Sequence, residues 1–162
     1  MAALPAGGLA SGPMNDELAR QLIGAWELVS YEITDLATGQ VVDEPLGEDA
    51  RGLIIYTGNG HMAVQISASG RPPYADASLH GGTSEERAAA AQGYLAYAGT
   101  YTVTNDGIVG HHVDYSLFPN WEATTVLRRA TIDGDDRLHL ELVEPIIADG
   151  TVRGGSLVWK RC

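Results

Sequence analysis

Between Ala25 and Arg161 the chain is broken at short intervals by tight-turn signals, and this spacing constrains the fold more than any other feature. Gly58-Asn59-Gly60, Asn105-Asp106-Gly107 and Asp133-Gly134-Asp135-Asp136 supply residues that tolerate positive φ, and each lies between runs that alternate apolar and polar residues. That is the chemistry of antiparallel hairpins. Strands are expected over 25–34, 39–42, 52–57, 61–67, 99–104, 108–116, 122–132, 137–142 and 157–161. Roughly eight or nine sequential strands joined by short turns make an up-and-down meander, which removes its exposed edges by closing into a barrel.

Two segments depart from the meander. Asn15 to Gly24 predicts a short helix, with an Asn or Asp cap, Leu18, Leu22 and Ile23 on one side, and glycine as its stop. Residues 68–82 form a polar loop, after which Thr83-Ser-Glu-Glu86 matches a capping box heading an alanine-rich helix to about Tyr94. A loop and helix of this size lie over one mouth of a small barrel, as a lid, or pack along its wall. Residues 15–162 are expected to form one domain behind a mobile tail over 1–14, which has no basic n-region and is not a signal peptide.

Composition narrows the chemistry. The net charge is −11 and the single lysine is Lys160, so nucleic acid and acidic membranes are excluded as expected partners. The sole cysteine is the last residue, Cys162, which excludes an intrachain disulfide and a cysteine-built metal site and fits a cytoplasmic setting. No stretch approaches the ~18 consecutive apolar residues of a membrane helix.

Strand parity then sorts side chains by face. Trp26, Leu28, Ser30 and Glu32 share one face if no bulge intervenes; Met62, Val64 and Ile66 share another. Tyr97, Gly99, Tyr101 and Val103 fall together, as do His111, Val113 and Tyr115. The resulting lumen is mostly apolar, with a few hydroxyl and imidazole groups, and suits a hydrophobic small molecule. An open cavity is expected, although a barrel of eight strands can also fill itself with side chains.

Familiar catalytic patterns are missing. His111 and His112 point to opposite faces and cannot chelate one ion, so no metal is expected. Asp114, His111 and Ser116 lack a nucleophile elbow, and no strand carries a dinucleotide fingerprint. Glu32 and Asp114 are the carboxylates that parity could bring inward, and one of Arg128 and Arg129 could anchor a carboxylate. What remains is catalysis by confinement and hydrogen bonding, which needs no cofactor.

Gly24-Ala-Trp26, Arg51-Gly-Leu-Ile-Ile-Tyr-Thr57 with Gly60-His-Met62, Tyr97-Ala-Gly-Thr-Tyr101, His111-His-Val, Pro119-Asn-Trp121 and Leu157-Val-Trp-Lys-Arg161 occur in that order. With these motifs the chain resembles the bacterial and fungal lipocalin-like domain family, over about Leu18 to Arg161. The resemblance implies an all-β, lipocalin-like antiparallel up-and-down β-barrel. The Gly-x-Trp element is similar to the opening signature of lipocalins, which implies that Trp26 plugs the closed end beneath Lys160 or Arg161. Similar small barrels of secondary metabolism include cofactor-free cyclases of polyketide chains. The resemblance thus points to a pericyclic ring closure, with a non-catalytic carrier or sensor as the alternative and an interaction module as the third. Tyr101, His111 and Tyr115 are the candidate catalytic donors, and Tyr56, Met62, Val64, Tyr97, Val113 and Trp121 the candidate substrate contacts. Pairing of barrels through their outer walls into a homodimer or larger homo-oligomer stays open.

Overall fold

The computed structural model describes residues 15–162; the tail expected over 1–14 lies outside them. The chain opens with helix α1 (Asp16–Leu22), capped by the Asn15 side chain, which accepts from Leu18 N–H at 3.0 Å. Ten strands follow: β1 (Gly24–Asp35), β2 (Val41–Asp43), β3 (Arg51–Tyr56), β4 (His61–Ser67), β5 (Tyr94–Val103), β6 (Ile108–Ser116), β7 (Thr125–Ile132), β8 (Arg137–Leu142), β9 (Ile146–Ala148) and β10 (Thr151–Arg161). Helix α2 (Ser84–Gln92) stands between β4 and β5, and a single 3-10 turn (Pro119–Trp121) follows β6. All pairings are antiparallel, in the order β1-β3-β4-β5-β6-β7-β8-β10, and β10 pairs back onto β1 to close an eight-stranded barrel. The short strands β2 and β9 extend the β1–β10 seam at one end.

The turns work largely as their sequences dictate. Gly60 (φ 83°) and Gly107 (φ 79°) carry the left-handed positions of their hairpins. In the third turn that role falls to Asp136 (φ 57°) and not to Gly134. A hairpin absent from the sequence reading joins β9 to β10 through Asp149 (φ 52°) and Gly150 (φ 74°), the two-residue turn that Asp-Gly favours. β10 therefore begins at Thr151, six residues before the expected strand. β5 also starts early, at Tyr94, because the alanine run stops being helical at Gln92, where Gly93 N–H closes on Ala89 O.

Two bulges decide what faces inward, because one extra residue inverts strand parity beyond it. In β1 the register slips between Leu28 and Ser30, so Trp26 and Leu28 point in, and beyond the slip Tyr31 takes the inward place opposite Leu157. Ser30 and Glu32 leave the lumen face on which parity alone had placed them. In β6 the register slips opposite Ala98/Gly99, leaving Asp114 unpaired. His111 and Val113 stay buried, while Tyr115 turns outward and is 74% exposed. This corrects the expectation of a shared His111, Val113 and Tyr115 face. The bulge brings the backbones together at Gly99, where a Cβ would lie 1.9 Å from His112 O, so only glycine fits.

Candidate functional site

The barrel interior has a sealed end and a loose one. At the sealed end α1 drives Leu18 and Leu22 into the core under Trp26, whose indole N–H donates to Leu22 O at 2.8 Å. Arg161 lies over the Trp26 ring, 4.0 Å from its centroid, as the resemblance implied. Its guanidinium also binds Asp136 Oδ2 (2.8 Å), Gln21 O (2.9 Å) and Ile23 O (3.2 Å). Lys160 pairs with Glu27 outside.

In the middle of the lumen His111 is completely buried between two phenols. Tyr56 Oη lies 2.8 Å from its Nε2 and Tyr97 Oη 3.0 Å from its Nδ1. Burial, reinforced by the Arg128 charge and by His112, brings the His111 pKa down to about 3, so the ring is neutral. A neutral imidazole has one N–H and one lone pair, so one phenol donates to it and the other accepts. The accepting phenol keeps its own proton for a further partner. Burial pushes the Tyr97 hydroxyl up to about 12 against the opposing pull of Arg128, and burial also holds the Tyr56 hydroxyl well above the usual phenol range. None of these groups exchanges protons near neutrality.

Tyr101 packs edge-on against Tyr56 at 4.9 Å and donates to Thr57 O at 3.1 Å. Met62, Val64 and Val113 are buried wall residues. Six of the nine expected site residues (Tyr56, Met62, Val64, Tyr97, His111 and Val113) are thus buried in the core. Tyr101 and Trp121 are partly buried against it. Only Tyr115 is excluded, by the β6 bulge.

Toward the loose end the lumen is fuller than expected. The space left is about 30 Å³, counted as volume open to the centre of a water molecule, and is bounded by Tyr31, Leu95, Tyr97, Trp121, Arg128 and Trp159 among others. That holds one or two waters. Outside it, the end of α2, the start of β5 and the loop after β6 frame an open groove of about 340 Å³ lined by Leu95, Leu117, Phe118 and Trp121. Leu95 and Trp121 border both spaces and separate them. Trp121 sits on the 3-10 turn, edge-on to Tyr97 (5.4 Å) and to Phe118 (5.7 Å). None of the α2 residues is buried, and the loop before it is tied to the helix by Glu86, which accepts from Ala75 N–H, and by Arg71 and Arg87, which donate to loop and helix carbonyls.

Two polar groups bordering the inner cavity lack what their chemistry asks for. The indole N–H of Trp159, on a fully buried side chain, has no hydrogen-bond partner among the described residues. Arg128, on the inward face of β7 opposite Val109, donates to Leu127 O at 2.9 Å and pairs with no carboxylate among the described residues. Sequence reasoning missed Tyr31 because the β1 bulge hides its parity. It left Arg128 unassigned between two faces, and it treated Trp159 only as part of a terminal motif. A tryptophan on the inward parity of the closing strand, two residues before Arg161, was the available signal.

Residues 23–162 match the lipocalin-like domain family. The chain belongs to it. Over 107 residues it is 35% identical to the 4'-hydroxy-3'-methoxypropiophenone carrier protein ppsC of Aspergillus oryzae, a match that covers 62% of this chain and 96% of the fungal protein. The mostly apolar interior with sparse polar groups suits a hydrophobic small molecule. No helix among the described residues is long and apolar enough to cross a membrane.

Proposed function

We propose that this protein is a non-catalytic carrier of a small aromatic molecule, which it takes from the mouth groove into the lumen past Trp121 and Leu95. The observation that supports this most is that the two spaces share those two side chains. The groove alone has the volume of a ligand pocket, and the inner cavity alone does not. Rotating Trp121 away from Tyr97 joins them, and the indole then lies against the bound molecule. The edge-on aromatic contacts around Trp121 give a flat ligand ring a ready stacking partner. The relative's printed name, a carrier of an aryl ketone, agrees in ligand size and class.

The cyclase role draws no comparable support. His111 is neutral with both ring nitrogens occupied, Tyr115 faces solvent, and the inner space alone is far below the volume of a ligand pocket. A single-ring ligand requires much less opening than a coiled substrate does.

Titration with 4'-hydroxy-3'-methoxypropiophenone, followed by tryptophan fluorescence and calorimetry, tests the reading. Saturable one-to-one binding is expected, with Trp121→Ala speeding both association and release. Absence of binding up to millimolar ligand overturns it. Incubation with linear polyketide-like precursors provides the second arm: ring closure faster than the spontaneous reaction would replace the carrier by an enzyme.

A further inference from the structure

We propose that the inner end of this site selects an anionic oxygen, a carboxylate or a phenolate conjugated to an acyl group, with Arg128 as its anchor and the Trp159 N–H as a second donor. The inference rests on the carrier reading and assigns the chemical class of ligand that the lumen takes.

The first observation is Arg128 itself. β7 places it on the same inward face as Val126 and Ala130, opposite Val109 of β6 and Leu142 of β8. Arg128 is half-buried, and a guanidinium held partly out of water is normally matched by a carboxylate. Arg153 and Arg161 on β10 follow that rule, holding Asp149 and Asp136. Among the described residues Arg128 has only the carbonyl of its own neighbour, Leu127.

The second, independent observation is Trp159. Its indole N–H is a donor only, it is buried, and no acceptor among the described residues reaches it. Trp159 comes from β10 and Arg128 from β7, yet both border the same inner cavity. Tyr31 and Tyr97 also border it, and no carboxylate among the described residues does. A cavity furnished with donors and one positive charge is complementary to an acceptor that carries negative charge. With a net charge of −11 on the whole chain, this attraction is local and does not extend to the surface.

The ionisable groups that feel Arg128 are Tyr31 of β1, Tyr56 of β3, Tyr97 of β5 and His111 of β6, with exposed Asp43 beyond Tyr31 and His112 beyond His111. The three phenols are pushed up and His111 is pushed down, so these inner groups keep one charge state between about pH 6 and 9. Any change of affinity in that window that depends on Arg128 belongs to the ligand.

Matched probes test this in the intact protein: the aryl ketone against its 4'-O-methyl ether, and 3-phenylpropionate against 3-phenylpropionamide. The wild-type protein is expected to bind each anion about tenfold or more tighter than its neutral partner. Ketone affinity should rise with pH as the phenol ionises, because the bound form favours the phenolate. Arg128→Gln should bring each pair to parity and flatten that pH dependence while still binding the neutral probes, which reports that the barrel is folded. Arg128→Lys should restore part of the preference. Equal binding of anionic and neutral probes by the wild type, or a preference that survives Arg128→Gln, overturns the charge assignment and leaves the carrier reading standing. Failure of all four probes to bind overturns both.

Discussion

Two tryptophan–arginine pairs of the barrel, one at the sealed end and one bordering the inner cavity, are treated in opposite ways. At the sealed end Trp26 donates to Leu22 O, and Arg161 both stacks on its ring and reaches a carboxylate and two helix carbonyls. Around the inner cavity, Trp159, paired with Leu28 and Leu138, has a buried N–H with no acceptor and Arg128 has no counter-ion among the described residues. The same residue types thus serve stability where every donor is met, and in the proposed carrier they serve binding where donors are left over. Leaving a buried donor unmet costs roughly 1–3 kcal/mol, which an acceptor on the proposed ligand would recover at Trp159.

The largest break in this comparison is a truncation at each end. Trp26→Ala removes a fully buried ring, its bond to Leu22 O and the seat of Arg161. It should cost about 3–5 kcal/mol in urea unfolding. Trp121→Ala removes a partly buried ring that borders open space on one side and should cost much less, about 1 kcal/mol. Equal losses would mean that Trp121 is a core residue and not a gate.

The buried imidazole between the two ends gives the next effect. His111 has a folded-state pKa near 3 against 6.5 when exposed, so the unfolded chain binds a proton in this interval and the folded one does not. Its contribution is therefore intact above pH 6.5 and is lost as pH falls toward 3, on the order of a few kcal/mol. Urea midpoints measured from about pH 7 to 4 should fall steeply in the wild type and less so in His111→Phe. The variant will be weaker at pH 7, because the Tyr56 and Tyr97 hydroxyls then lack their shared partner. A parallel pH slope in the two proteins would assign the acid lability elsewhere.

The sealed end was far more legible in the sequence than the loose one, for a physical reason. A capped helix, Gly-x-Trp and a terminal Lys-Arg act within short, regular stretches, and the family resemblance covers them. The strands 61–67, 108–116 and 137–142 were likewise readable because plain alternation and glycine turns define them. The mouth depends on two bulges, and a bulge carries no signature in a single sequence beyond glycine or a broken pattern. One inserted residue brings Tyr31 in and sends Glu32 out; another sends Tyr115 out. Trp121 was identified but its position was not, since a 3-10 turn after Pro119 gives no face to count from. The degree of filling is a property of packing between strands far apart in sequence, which alternation does not encode.

Exchange of the two arginines probes a smaller difference. Arg161→Met loses a stacked guanidinium and its bonds to Asp136, Gln21 and Ile23, and should destabilise by about 1–2 kcal/mol. Arg128→Met keeps the aliphatic stem against the lumen wall and discards a charge that has no partner. Its stability should be unchanged or higher by up to about 1 kcal/mol, the usual sign when a site is relieved of a functional burden. Thermal unfolding without ligand separates the two, and destabilisation of Arg128→Met comparable to that of Arg161→Met would show that Arg128 is structurally bound.

The smallest effect should come from replacing each indole by phenylalanine. Both rings are fully buried, so both variants lose similar volume and leave similar cavities. They differ in one bond. Trp26→Phe also strips Leu22 O of its donor at the end of α1, whereas Trp159→Phe removes an N–H that no group among the described residues satisfies. The two variants should therefore differ by about 1 kcal/mol, with Trp159→Phe the more stable. Calorimetry of the wild type and Trp159→Phe with 3-phenylpropionate then decides what the spare N–H is for. A loss of affinity together with a milder loss of stability assigns it to the ligand, and equal destabilisation of the two variants would return Trp159 to the core.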